Sequence, residues 1–378
     1  MSTPALNRRA FLRFAAVAGA ALPLINESHL AMAAQMTLQT SKKLKHPLPG
    51  NGAVLINANE NPLGPCDSAR AAISALIPNG GRYEDELTDE LTKTIAAKED
   101  LRPEYISVYA GSSEPLQFAV LAFTSKDHPY ITADPGYEAG AHAAEAAGAS
   151  VIKVPLTHTH AHDVKAMVAA DPHAGLLYIC NPNNPTGTIT ARDDIEYALA
   201  NKPSGSILLV DEAYIHFSNQ PSAMDMVREG KDVIVLRTFS KIYGMAGVRC
   251  GFAAGRPDLL ARLLPFGRNP MPIFSVAAAK ASLDDLNVLA ERRKYTGTVR
   301  GETLTWLTGK GYAVTQSTSN CFMVDTRRPS HDVIAAMASQ NVYVGRPWPA
   351  WPTWVRVTVG TPGEMAQFRT AFQTVMSA

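Results

Sequence analysis

The chain carries almost no net charge: 35 lysines and arginines face 34 aspartates and glutamates, which leaves +1. With no long basic run, nothing points to a nucleic-acid partner. Cysteine is scarce as well. The four residues Cys66, Cys180, Cys250 and Cys321 lie far apart, with neither metal-ligand nor redox spacing, so they read as buried apolar fillers, and no disulfide is indicated. The weakly apolar run Phe14 to Ile25 is too short to span a bilayer and contains Pro23. What remains is an ordinary globular composition in 378 residues, enough for one large domain and a smaller one.

The chemistry is organised around Thr238-Phe239-Ser240-Lys241-Ile242-Tyr243-Gly244-Met245-Ala246-Gly247-Val248-Arg249, entered from the apolar run Val233 to Leu236. A β-branched run that stops at hydroxyls, one lysine, two glycines and an arginine reads as a buried strand delivering polar groups to a site. A lysine at the lip of an apolar sheet can lose its charge, act as a nucleophile and be trapped by an aldehyde cofactor as a Schiff base. Thr238, Ser240 and Arg249 would then suit a phosphate dianion. A second anion site is legible upstream. The strand Tyr105 to Tyr109 runs into Ala110-Gly111-Ser112-Ser113-Glu114 and a helix from Pro115 to Phe123, so free N–H groups at the helix start face the loop. Read alone, this is an ordinary capped turn; beside the lysine segment, Gly111, Ser112 and Ser113 form the best phosphate cradle in the chain.

Three apolar runs of strand length, Leu176 to Cys180, Ile207 to Val210 and Val233 to Leu236, are separated by helical stretches such as Arg192 to Ala200. That alternation predicts a parallel sheet buried on both faces, with ligands beyond the carboxyl ends of its strands. Asn181-Pro182-Asn183-Asn184-Pro185-Thr186-Gly187, Val210-Asp211-Glu212-Ala213-Tyr214 and the lysine segment all fall there. In order and spacing they resemble the fold-type-I aminotransferases that depend on pyridoxal phosphate. Asn57-Ala58-Asn59-Glu60-Asn61-Pro62-Leu63-Gly64-Pro65 and Val355-Arg356-Val357-Thr358-Val359-Gly360-Thr361 are most similar to the histidinol-phosphate branch. The resemblance covers the chain from about residue 45 to the end.

That resemblance implies an α/β fold: a mostly parallel seven-stranded sheet between helices in a large domain, and a smaller α+β C-terminal domain. The implied division is 66–264 for the large domain and 265–378 for the small one. It further implies that Lys241 holds pyridoxal phosphate as a Schiff base and moves the substrate proton. Asp211 would pair with the pyridine nitrogen, Asn184 and Tyr214 would bond the ring's phenolic oxygen, and Tyr137 would stack on the ring. Gly111, Ser112, Ser113, Thr238, Ser240 and Arg249 would hold the phosphate. Arg356 would grip a substrate α-carboxylate, unless it is only a surface cross-strand ion pair. The segment bearing Asn59 would cover the active-site mouth. Tyr83 would reach the cofactor phosphate of a neighbouring subunit, which requires a homodimer with shared sites; the plain alternative is a half-buried anchor beside a turn. The partners implied are an amino donor and a 2-oxo acid acceptor. A lyase of the same fold, such as a decarboxylase of a phosphorylated amino acid, and a non-catalytic protein that binds pyridoxal phosphate are the competing readings.

Taken from the start, Asn7-Arg8-Arg9-Ala10-Phe11-Leu12-Arg13 looks like a twin-arginine export signal covering residues 1–33, with Ala31-Met32-Ala33 as its cleavage site. The protein would then be periplasmic; the alternative is a cytoplasmic enzyme with an N-terminal extension. Residues 34–65 read as an arm with little periodicity. A helix is expected over Glu84 to Lys98 from its Leu87, Leu91, Ile95 spacing. His158-Thr159-His160-Ala161-His162 lacks a carboxylate or cysteine at ligand spacing, so no metal is expected and the segment reads as an exposed connection. In the second half we expect a long helix from Ser275 to Leu307, broken near Leu283, and strands around Tyr312 to Val314, Cys321 to Val324 and Val355 to Val359.

One position departs from the resemblance. Where the histidinol-phosphate branch carries an arginine for the substrate phosphate, five residues past Asn320, this chain has Asp325, whose charge would repel a phosphate. The loop Arg346-Pro347-Trp348-Pro349-Ala350-Trp351-Pro352-Thr353-Trp354 cannot be helical. Its three tryptophans either pack the small domain or line the substrate mouth. We favour the mouth, and therefore an apolar or aromatic amino acid over histidinol phosphate.

Overall fold

The computed structural model describes residues 52–267 and 269–377. The expected export signal and the arm up to residue 51 lie outside the described residues. Seven strands form the main sheet: β2 (Ile106–Tyr109), β3 (Tyr130–Asp134), β4 (Val151–Pro155), β5 (Leu176–Cys180), β6 (Ile207–Asp211), β7 (Val233–Thr238) and β8 (Gly251–Gly255). Their order across the sheet is β2-β8-β7-β6-β5-β3-β4. All pairs are parallel except those of β8, which runs against both β2 and β7. The reversal has a simple cause: residues 239–250 join β7 to β8 without a helix, and a parallel crossover needs one. Every residue of β5, β6 and β7 is buried, as their unbroken apolar runs require once helices cover both faces.

The second lobe holds two small sheets. β1 (Val54–Ile56) pairs in parallel with β10 (Val342–Val344), and β9 (Cys321–Asp325) pairs antiparallel with β11 (Trp354–Thr358). Helices Val288–Gly309, Ser330–Ser339 and Pro362–Ser377 cover them around a core that includes Phe322, Phe368 and Phe372. Val54 and Ile56 belong to this core, so part of the expected arm is a strand of the second lobe; three residues are too few to show a period. Around Tyr312 to Val314 no strand forms, only a bridge from Val314 to Val324.

The expected long helix is two, Ile273–Asp284 and Val288–Gly309. The first packs against the helices Asp67–Leu76 and Asp85–Lys98, and its Val276, Ala278 and Ala279 lie in the core of the sheet lobe. A core boundary therefore falls near residue 288, past the expected change at 265, because alanines let this helix sit close on the large lobe. Among the described residues no helix is long and apolar enough to cross a membrane.

Candidate active site

Between the lobes lies a cavity of about 330 Å³. Five of its sides are built the same way, from residues at or just past the carboxyl ends of sheet strands. Ser112 and Ser113 follow β2, Tyr137 follows β3, Cys180 ends β5 with Asn184 beyond it, Asp211 ends β6, and Thr238 ends β7 with Ser240 and Lys241 following. The second lobe closes the cavity with Asn59 and Glu60 after β1, Arg346 after β10, and Arg356 on β11.

Asp211 is buried, and its carboxylate accepts from the Tyr178 hydroxyl at 2.9 Å and the Ala213 N–H at 3.0 Å. Burial pushes its pKa up to about 6 in spite of these donors, so a cation set against it would be strongly held. Across the cavity, Lys241 is brought down to about 8 by burial first and by the Arg356 charge second. Its Nζ sits 5.7 Å from the centre of the Tyr214 ring. About a tenth of the amine is therefore neutral at pH 7, far more than for an ordinary lysine, and neutral amine is the state a nucleophile needs. The Tyr214 hydroxyl accepts from Asn59 Nδ2 at 3.0 Å, and burial raises its pKa well above the usual phenol range.

The anion end is equally explicit. The Arg249 guanidinium donates to Ser240 Oγ at 3.2 Å and to the carbonyls of Ala246 and Ala110, and Thr238 Oγ1 bonds Ser240 Oγ at 3.0 Å. The helix Ser113–Phe123 begins here, with its first N–H groups open to the cavity loop. Gly111 does not itself line the cavity; it stands behind Arg249. Its φ is +101°, and a Cβ there would run into Arg249 Nη2, so only glycine lets the arginine lie flat against the turn.

Arg356 is buried rather than a surface partner. Nη1 donates to Asn184 Oδ1 at 2.9 Å, Nη2 donates to the Asn57 carbonyl at 2.6 Å, and Nε has no partner among the described residues. A buried, unneutralised guanidinium with a free N–H is suited to a carboxylate. The whole set fits pyridoxal phosphate: hydroxyls, helix N–H groups and Arg249 for its phosphate, a carboxylate for its ring nitrogen, Tyr137 for its face and an amine for its aldehyde.

Tyr83 is 75% exposed and does not line the cavity of its own chain, so it is not a half-buried anchor. Other expectations fail on geometry. Asp325 lies opposite Trp354 at the far end of β9 and takes the Arg327 N–H, so it meets no ligand in the cavity. The tryptophans do not line the cavity either. Trp348 is buried beneath Arg346 and Arg356, while Trp351 and Trp354 clasp the His160 ring at 4.9 and 5.4 Å. The histidine stretch is accordingly less exposed than expected. His162 is buried, its Nδ1 hydrogen-bonded to Thr190 Oγ1 at 2.8 Å, and burial lowers its pKa to about 4. Glu60 and Arg346, which are not among the expected site residues, also line the cavity. Only the return of the second lobe over the sheet brings them to it.

Residues 52–372 match the model of the aminotransferase class I and II family, so the chain belongs to that family of pyridoxal-phosphate-dependent enzymes. It is 34% identical over 329 residues to the histidinol-phosphate aminotransferase of Symbiobacterium thermophilum, covering 85% of this chain and 90% of that one. It is also 34% identical over 338 residues to the aromatic amino acid aminotransferase of Rhodococcus jostii, covering 86% and 91%. Among solved structures it resembles the histidinol-phosphate aminotransferase of Sinorhizobium meliloti in complex with pyridoxal-5'-phosphate: TM-score 0.79, 25% identity, 85% and 90% coverage. The chain is thus an aminotransferase enzyme, acting between an amino donor and an oxo acid.

Proposed function

We propose that the donor is an amino acid with an apolar or aromatic side chain, that the acceptor is a 2-oxo acid, and that Lys241, Asp211 and Arg356 carry the reaction. The observation that supports this is the pairing of a half-buried amine brought towards neutrality with a buried carboxylate across one cavity, with an unneutralised arginine beside them. When bound, pyridoxal phosphate supplies a ring that accepts the electrons released at the donor's α-carbon. Arg356 binds the α-carboxylate and orients the donor. Lys241 Nζ would take the proton from the α-carbon as general base and give it up again as general acid to complete the transfer. Asp211 would keep a proton at the ring nitrogen of the bound group. Tyr214 and Asn184 would hold its phenolic oxygen, and Tyr137 would face its ring. Asn59 joins Tyr214 to β11 through the Thr358 hydroxyl and so ties the cavity floor to the lobe bearing Arg356.

The aromatic preference is supported by relatives named as aromatic amino acid aminotransferases. A donor screen tests it: phenylalanine should exceed histidinol phosphate in kcat/KM, and the reverse order overturns the preference. Amine transfer to the oxo acid without carbon dioxide release separates transamination from decarboxylation. We also propose a homodimer in which Tyr83 reaches the partner's cofactor, supported by its exposure beside the turn Gly80-Gly81-Arg82. Export through the twin-arginine machinery to the periplasm is proposed from Arg8-Arg9 and the following Phe-Leu. Fractionation after replacing both arginines with lysine tests it, and an unchanged periplasmic yield would exclude that route.

A further inference from the structure

Of the three arginines that line the cavity, Arg249 belongs to the anion end, and the other two, Arg346 and Arg356, are not equivalent. Both terminal nitrogens of Arg346 donate to both carboxylate oxygens of Glu138, which directly follows Tyr137 and precedes the helix Ala139–Ala146. The Arg346 guanidinium also lies 4.1 Å from the Trp348 ring centre, and that of Arg356 lies 5.9 Å from the same ring. A guanidinium offers one such pair of parallel terminal N–H groups to a carboxylate or phosphate, and here the protein's own carboxylate takes it. An anion arriving from the cavity meets a fork already engaged, with a like charge behind it. Arg356 is the opposite case, because its terminal nitrogens hold only neutral oxygens.

We infer that Glu138 is a specificity-determining residue: by engaging the Arg346 fork it disfavours substrates that carry a second anionic group and favours those with uncharged side chains. The selection follows from charge accounting at the cavity. One arginine is left to meet the α-carboxylate, and the other is neutralised before any substrate enters. Trp348 backs both guanidinium groups, so removing Glu138 leaves Arg346 over the cavity, where it can accept a distal carboxylate or phosphate. The inference rests on the transaminase reading with Arg356 at the α-carboxylate.

The test compares wild type, Glu138→Gln, Glu138→Ala and the double variant Glu138→Gln/Arg346→Met, all loaded with cofactor. One measurement is the ratio of kcat/KM for histidinol phosphate to that for phenylalanine. The other needs no turnover: the ratio of the association constants for succinate and for 3-phenylpropionate, read from the visible absorbance of the bound cofactor. Both anionic-to-neutral ratios should rise about tenfold in the single variants, and the rise should vanish without Arg346. An unchanged or lowered ratio overturns the inference, since it would mean that Glu138 prepares Arg346 to receive an anion. A gain that survives in the double variant overturns it as well. If loaded protein transaminates neither donor, the proposed donor class falls, and the binding constants alone decide the role of Glu138.

Discussion

Lys241 and Asp211 are shifted in opposite senses by the same cause, and the signs lead to different measurements. A lysine whose folded pKa is lowered sheds its proton more readily when folded. Its burial therefore costs stability below about pH 8, a cost relieved as pH rises towards the ordinary lysine value. In cofactor-free protein at pH 7, Lys241→Met should raise the melting temperature by a few degrees, on the order of 1 kcal/mol, while abolishing transamination. Capture of pyridoxal phosphate by wild type should accelerate as pH rises through about 8 in stopped-flow absorbance, because only the neutral amine attacks. A midpoint near 10 would show that the amine is not perturbed. Asp211 is an acid whose folded pKa is raised to about 6, so the folded state holds its proton more firmly. Cofactor-free protein should lose stability as pH climbs from about 4 to about 6, and Asp211→Asn should flatten that slope in urea titrations. The same replacement should lower kcat by at least about a hundredfold, since an amide cannot balance a protonated ring nitrogen.

The strand ends carry the site on one face and a buried charge network on the other, as the two-residue period of a strand demands. Asp211 and Thr238 face the cavity, while their neighbours Glu212 and Arg237 meet behind the sheet at 2.7 Å, both buried. Arg237 also reaches Ser222 Oγ at 2.8 Å and Glu99 Oε1 at 3.1 Å. Arg237→Met should cost about 3 kcal/mol or more in urea unfolding because it strands Glu212, and Glu212→Leu in the same chain should recover part of the loss. At the opposite edge, Gly111→Ala should weaken pyridoxal phosphate binding about tenfold by pushing Arg249 off the turn, measured as a dissociation constant. Elements of this kind were legible before any coordinates. Leucine, isoleucine and valine in unbroken runs mark β5 to β7, and the polar residues that end them mark the cavity. β1 and β10 were not, being three residues each, nor was β8, whose Gly-Phe-Ala-Ala-Gly offers no β-branched residue. Arg346 escaped because its meaning depends on Glu138, which sits in the other lobe. Asp325 misled because distance along β9, rather than charge, decides whether it meets a ligand.

At the scale of the molecule, the two lobes are joined where the chemistry lies: Arg356 to Asn184, Asn59 to Tyr214, and Arg346 to Glu138 all cross the cavity. The Trp351 and Trp354 clasp on His160 secures the same junction, since the Thr186 and Thr188 hydroxyls bind the His160 carbonyl just past Asn184. Tyr83 is the one expected site residue that no crossing within a single chain explains. If it serves a partner's cofactor, two defective chains can repair each other. Lys241→Ala kills the site in its own chain but still offers a sound Tyr83. Tyr83→Ala spares its own lysine and weakens only the partner's phosphate hold. Random reassembly of equal amounts should form hybrids in which one site of two is fully intact, restoring about a quarter of wild-type sites at limiting cofactor. If Tyr83 acts only within its own chain, every site in the mixture stays impaired, and activity at limiting cofactor will not rise above the average of the two parents.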